Sequence, residues 1–293
     1  KNSKIFYTDR TIEGDSLYYN KRLDFASATG NIKVIDTVNN SVIKGGYAEF
    51  FKLKDSVFIT NRAVAISAME NDSLYIHGDI LMVTGKVNER LLKAYQHVKI
   101  FKSDLQGKCD SLVSDEKTGL TKLFTNPVLW AEGNQITGDI IHLISNAKTE
   151  QLDSLKILNN AFMIQKDSSG YSQMKGKNMY GKFKNNKLAS LNNIGNSEVI
   201  FYLRDENQKL IGVSKMKSSN NIFIIMANNT INSIDFNNKP EGKTYPPSEF
   251  EKLKPVEKLF KGFIWRENER PLSKNAIFIH DEPISEDIKS KKN

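Results

Sequence analysis

Two interleaved sequence combs constrain the fold of this chain more than any other feature. The first is a small residue, an acid and an apolar pair. It appears as Gly14-Asp15-Ser16-Leu17, Ala48-Glu49-Phe50-Phe51, Gly78-Asp79-Ile80-Leu81, Cys109-Asp110-Ser111-Leu112 and Gly138-Asp139-Ile140-Ile141, with a degenerate copy at Lys177-Asn178-Met179-Tyr180. Its acid positions are 15, 49, 79, 110, 139 and 178, in steps of 34, 30, 31, 29 and 39. The second comb is an apolar pair spaced by two, often just after Asn: Ile32/Val34, Val64/Ile66, Val98/Ile100, Val128/Trp130, Phe162/Ile164 and Val199/Phe201. Each comb falls roughly midway between the teeth of the other. A unit of about 30 residues with two strand-like pieces therefore repeats, and a repeat of that period means a stacked array.

Between residues 4 and 235 the chain reads as β almost throughout. Short segments such as Asn31-Ile32-Lys33-Val34 and His97-Val98-Lys99-Ile100 alternate apolar and polar residues at period two. Turn chemistry breaks them at Asn39-Asn40, Gly45-Gly46, Asn185-Asn186, Asp205-Glu206-Asn207 and Asn237-Asn238. Three regions follow: β repeats over 1–239, a Pro-rich linker, short helix and capping segment over 240–280, and a disordered tail over 281–293. Pro240 to Pro247 reads as linker or turn, and Ser248 with Glu251 has the S-x-x-E capping-box pattern. Pro255 should limit or kink that helix. The cluster Phe263, Ile264 and Trp265 is too apolar for water and is expected to cover an open sheet end.

The chain has 293 residues and a formal net charge of +8. A basic balance suits an anionic partner or simply keeps strand faces soluble with Lys. No apolar run approaches the ~20 residues that a membrane helix needs. The single cysteine, Cys109, excludes an intrachain disulfide and reads as a small packed hydrophobe. Catalytic motifs are missing: no Gly-rich phosphate loop, no G-x-S-x-G and no H-E-x-x-H. His77, His97, His142 and His280 lie far apart and read as isolated side chains, so no metal, cofactor or catalytic residue is assigned. The acid column could stack carboxylates for Ca²⁺, or each acid could accept local bonds where a strand bends; the second reading is preferred. The apolar comb fills a core in one reading and lines a trough between two sheets in the other.

Several strings resemble the OstA/LptA family of periplasmic lipopolysaccharide-transport proteins. Ala28-Thr29-Gly30-Asn31-Ile32-Lys33-Val34 is similar to that family's "TGNV" strand, and the acid-comb segments to its "AD" strand. The OstA-like group of Bacteroidota-type bacteria is closer still. Its recurrent pieces resemble Gly14-Asp15-Ser16-Leu17-Tyr18-Tyr19, the run from Lys102 to Leu112, Pro127-Val128-Leu129-Trp130, Lys175-Gly176-Lys177-Asn178-Met179, Lys261-Gly262-Phe263-Ile264-Trp265 and Arg270-Pro271-Leu272-Ser273-Lys274. The resemblance covers roughly residues 10–280. It implies an all-β, repeat-built, half-open antiparallel β-jellyroll, V-shaped and LptA-like, with a short C-terminal helical or irregular segment.

The resemblance also implies a non-enzymatic protein of the periplasm, associated with the outer membrane, that binds lipopolysaccharide and shields its lipid A acyl chains. The groove residues would be Ile32, Val34, Val64, Ile66, Val98, Ile100, Val128, Trp130, Phe162, Ile164, Val199 and Phe201. Lys33, Arg62 and Lys99 would meet phosphates and sugars at the rim. Unpaired edge strands would join other lipopolysaccharide-transport proteins, or further copies head to tail; nucleic acid is not a partner. Relatives in that group often carry more repeats ahead of the point where this chain begins, which leaves open whether it is a fragment. Two rivals are a structural or adhesive β-solenoid with a dry core and no lipid ligand, and a carbohydrate-active enzyme on a right-handed β-helix.

Overall fold

The computed structural model describes residues 3–6, 10–36, 38, 40–69, 72–146, 151–184, 187–227, 230–238 and 240–280. The expected turn at Asn185-Asn186, the Asn39 half of another turn and the tail over 281–293 lie outside the described residues.

The described chain is nearly all antiparallel strand. It opens with β1 (Ser3–Phe6), β2 (Arg10–Gly14), β3 (Ser16–Asn20), β4 (Phe25–Asp36), β5 (Ser41–Phe51), β6 (Ser56–Thr60), β7 (Val64–Ala68), β8 (Ser73–His77) and β9 (Ile80–Thr84). The middle holds β10 (Leu91–Lys102), β11 (Leu105–Asp115), β12 (Leu120–Phe124), β13 (Val128–Ala131), β14 (Asn134–Thr137) and β15 (Ile140–Ser145). The last group is β16 (Leu152–Asp167), β17 (Gly170–Lys184), β18 (Lys187–Ile194), β19 (Ser197–Arg204), β20 (Leu210–Ser218), β21 (Asn221–Ala227), β22 (Thr230–Phe236) and β23 (Glu241–Tyr245).

The pairings form two ladders. The first wall runs β3–β4–β5–β6–β9–β10–β11–β12–β15–β16–β17–β18–β21–β22. The second runs β1–β2–β4–β5–β7–β8–β10–β11–β13–β14–β16–β17–β19–β20–β23. Six long strands, β4, β5, β10, β11, β16 and β17, cross from one wall to the other. Every pair is antiparallel, unlike the parallel β-helix weighed as a rival.

The crossing is a corner built from two consecutive residues with positive φ. The pairs are Gly30-Asn31, Asn61-Arg62, Gln96-His97, Thr125-Asn126, Asn159-Asn160 and Gly195-Asn196, with φ between 47° and 79°. Asn and Gly recur here because they tolerate the left-handed region. In β4, β10 and β16 the pair is a bulge, marked by register shifts at Thr29/Ile32, Tyr95/Val98 and Leu158/Ala161. In the other three it separates two short strands.

The acid comb faces these corners. Asp15, Asp79, Asp110 and Asp139 donate their backbone N–H to the carbonyls of Gly30, Gln96, Thr125 and Asn159 at 3.0, 3.0, 3.3 and 3.1 Å. Asn31 Nδ2 donates to Asp15 Oδ2 at 2.8 Å, and Asn160 Nδ2 to Asp139 Oδ1 at 2.9 Å. The acids therefore tie bends. Two teeth are displaced from the expected positions. Gly46, not Glu49, faces the corner at Asn61, and Lys177 faces Gly195, while Asn178 Oδ1 accepts from Asn159 N–H at 2.9 Å and ties the neighbouring corner. Glu49 instead accepts a bond from the Tyr47 hydroxyl at 2.7 Å.

The C-terminal region departs from expectation. Part of the predicted linker is β23, an edge strand paired with β20, so the sheet continues past residue 239. Two short helices follow, α1 (Pro247–Glu251) and α2 (Pro255–Lys258). Pro255 starts α2 instead of kinking a helix, because proline is pre-set for a first helical turn. Ser248 lies inside α1, and the carboxylate that closes onto a helix start is Glu257, which accepts from Lys254 N–H at 3.0 Å. From there the chain runs as a strap along the outer face of the second wall. It does not cap a sheet end.

Candidate functional site

Strand alternation gives each wall an inner and an outer face. The main core joins inner residues of both walls, including Ile12, Val34, Ile76, Ile100 and Val199 from the second and Val57, Leu81, Leu112 and Ile157 from the first. Inward positions are counted from the corner. The first residue after it, and every second one onward, points in: Ile32 and Val34, Ala63 and Ala65, Val98 and Ile100, Ala161 and Met163.

Toward the edges away from the corner, the space between the walls opens into a cleft of about 810 Å³. Val34, Ile43, Val57, Leu74, Ile76, Val83 and Leu92 are the inward-facing part of its apolar lining. Cross-strand pairing aligns them: Val34 with Ile43 in the second wall, Val57 with Val83 and Val83 with Leu92 in the first. Arg10, Asp36, Arg90, Asp115, Glu116 and Lys117 also line it and make its mouth polar.

Asp36 ends β4 in the second wall, and Arg90 precedes β10 in the first. Their ion pair spans the mouth. Both side chains are largely buried, so each needs the other's charge. Asp36 also accepts from Val38 N–H at 2.8 Å, and Glu116 accepts from Arg90 N–H at 3.0 Å. At the exposed edge Lys117 donates to Glu89 at 2.6 Å and lowers that carboxyl's pKa.

The twelve expected groove residues divide between the faces. Ile32, Val34, Val98, Ile100, Val199 and Phe201 face inward, and Val34 lines the cleft. Val64, Val128, Trp130, Phe162 and Ile164 face outward, a correction to the expected trough. Phe162 and Ile164 belong to a second cluster with Ile200, Val213, Phe250 and Phe260. Val64 is in register with buried His77, Val128 with Lys108, and Trp130 with Gln106 and Gln135. Ile66 shares the outward row of Tyr75 and borders the cleft at the end of its strand. The physical reason is a second apolar layer. The strap makes outward positions as apolar as inward ones, and the larger residues in β7, β13 and β16 sit two places after the corner.

The rim cations differ as well. Lys33 is exposed on the outer face. Arg62 sits at the closed corner, 4.4 Å above the Phe278 ring. Lys99 is buried beneath the strap and donates to the Ile279 carbonyl at 2.7 Å. The cations at the cleft are Arg10, Arg90 and Lys117.

Three glutamines hold the strap, and nothing in the repeat pattern singles them out. Gln173 donates to Lys258 O at 2.9 Å and accepts from Phe260 N–H at 2.9 Å. Gln135 does the same with Ile264 O at 2.7 Å and Arg266 N–H at 2.6 Å. Gln106 accepts from Arg270 Nε at 2.8 Å. An ion pair from Lys108 to Glu269, edge-to-face packing of Phe263 on Tyr171 and a tilted contact of Trp265 with the same ring complete the attachment. The available signal was a Gln in a β segment just where alternation called for an outward residue.

No protein-family model matches this chain, and no curated protein matches it.

Proposed function

We propose that this chain is a non-enzymatic carrier of an acylated amphiphile, a lipopolysaccharide-binding bridge component of the periplasm acting in outer-membrane assembly. In this reading the two walls are a half-open, V-shaped β-jellyroll of the OstA/LptA kind. The observation that carries it is the cleft between the walls, which joins an apolar lining to a polar mouth of mixed charge, with Arg10, Arg90 and Lys117 beside Asp36, Asp115 and Glu116. Such a site suits a molecule with hydrocarbon chains beside phosphates. Each methylene moved out of water contributes about 0.8 kcal/mol. A phosphate reaching the mouth would have to exchange with Asp36 for the Arg90 guanidinium.

Transport needs no covalent step. An open side lets a ligand slide along the repeat axis. Among the described residues β1 and β3 pair on one side only, as do β22 and β23 at the other end. Such edges accept further strands, which supports head-to-tail joining of copies or of other transport proteins into a longer trough.

The alternative is a structural or adhesive β protein with a dry interior. Displacement of a fluorescent fatty-acid probe by lipopolysaccharide separates the two. The expected result is saturable binding that Leu92→Glu weakens at least tenfold and Lys33→Glu leaves intact. A folded protein that takes up no probe favours the dry interior.

A further inference from the structure

Three of the four histidines, distant in sequence, converge on Asp79 beside the last described residues of the strap. His77 closes β8 and points to the outer face. His97 is the second residue of a corner. His280 is the last described residue of the strap. His97 Nδ1 lies 2.7 Å from Asp79 Oδ2, and His280 Nε2 lies 3.3 Å from Asp79 Oδ1. The His97 and His280 rings stack at 4.3 Å.

His77 is the telling member. Its side chain is 3% exposed. Its Nδ1 is 2.7 Å from the Ala63 carbonyl, which can only accept, so Nδ1 carries the proton. Nε2 then presents a lone pair, and that buried atom has no hydrogen-bond partner. Buried acceptors are nearly always satisfied, so an orphan needs a reason. A carbonyl holding one imidazole nitrogen while the other stays open is the arrangement around many metal ligands.

We propose that His77, Asp79 and His280 bind one divalent transition-metal ion of the Zn²⁺ class and so pin the strap to the sheet. Their ligand atoms all lie within 4.8 Å of one another. Two ligands on a tetrahedral Zn²⁺ sit about 3.3 Å apart, given bond lengths near 2.0–2.1 Å. The Asp79–His280 separation already has that value, and joint rotation of the half-buried Asp79 and exposed His280 side chains towards the fixed His77 closes the rest. Two imidazoles and one carboxylate suit Zn²⁺ over Ca²⁺ or Mg²⁺, which prefer oxygen. His97 fixes the second carboxylate oxygen and orients the first. A water completes the fourth position.

The test uses the untagged full chain, stripped with a chelator and titrated calorimetrically with Zn²⁺, and with Co²⁺ by visible absorption. The expected result is one ion per chain. His280→Ala and Asp79→Asn each weaken it at least tenfold, whereas His142→Ala leaves it unchanged. His280 is exposed and lies outside the sheet, so its loss leaves the sheet folded. Zn²⁺ is also expected to slow amide exchange over residues 276–280 in the parent protein and not in His280→Ala. Absence of one-to-one binding, or binding indifferent to His280→Ala, overturns the proposal. So does an equal loss in His142→Ala, which would mark scattered surface histidines.

Discussion

Gly30 shows how one residue sets a corner. Its φ is +71°, and a Cβ there would meet Asp15 Oδ2 at 2.5 Å. Gly30→Ala should therefore cost about 1–3 kcal/mol in urea unfolding. Asn31→Ala removes the exposed bond to Asp15 and also places Ala in the left-handed region at φ 47°, so it should cost about 1–2 kcal/mol. Gln173 works differently. Replacing it with Leu leaves Lys258 O and Phe260 N–H without partners, at about 1–3 kcal/mol, with faster amide exchange at Phe260. Cys109 follows its small-residue column: burial pushes its thiol up to about 12. It should react with disulfide reagents at pH 8 only after denaturation.

At the scale of elements, the strap accounts for what the sequence showed and what it hid. Alternation made the strands legible; the acid comb pointed to bends, whereas the Asn recurring before the apolar pairs was visible without revealing itself as the other half of each corner. Inside and outside were not legible in β7, β13 and β16. Val64, Trp130 and Phe162 are apolar because the strap covers them, so polarity carried no information there. The cluster around Trp265 was visibly a cover, but its target was set by Gln135 and Gln173 far upstream. Deleting residues 246–293 should expose Phe162, Ile164, Ile200 and Val213, each worth about 1.5–3 kcal/mol of burial. The expected outcome is dye binding to exposed apolar surface together with self-association, measured by fluorescence and sedimentation.

The pair that ties β16 to β19 gives a pH dependence. Arg204 donates to both oxygens of Asp167, at 2.8 and 2.6 Å, and holds that carboxyl below its ordinary value of 3.8. A carboxyl lowered in the folded state stabilises it above the unfolded value, and that contribution is lost as pH falls further. Asp167→Asn should therefore cost about 1–2 kcal/mol at pH 7 and progressively less below pH 4, by urea titration at each pH.

Across the whole molecule, two walls share six long strands and one inner core, yet part ways at the mouth that Asp36 and Arg90 span. A chain that only needed a packed interior could close this gap with side chains. Here a cleft of about 810 Å³ stays open above Ile43, Leu74 and Leu92. In the proposed carrier, hydrocarbon chains enter it. The most direct measurement is photocrosslinking to lipopolysaccharide from single probe residues at Ile43, Leu74 and Leu92, with Lys33 and Lys44 on the outer face as controls. The expected result is strong crosslinks at the three inward positions and weak ones at the controls. No crosslink at any inward position in the folded protein, or equal crosslinks on both faces, would contradict the carrier reading.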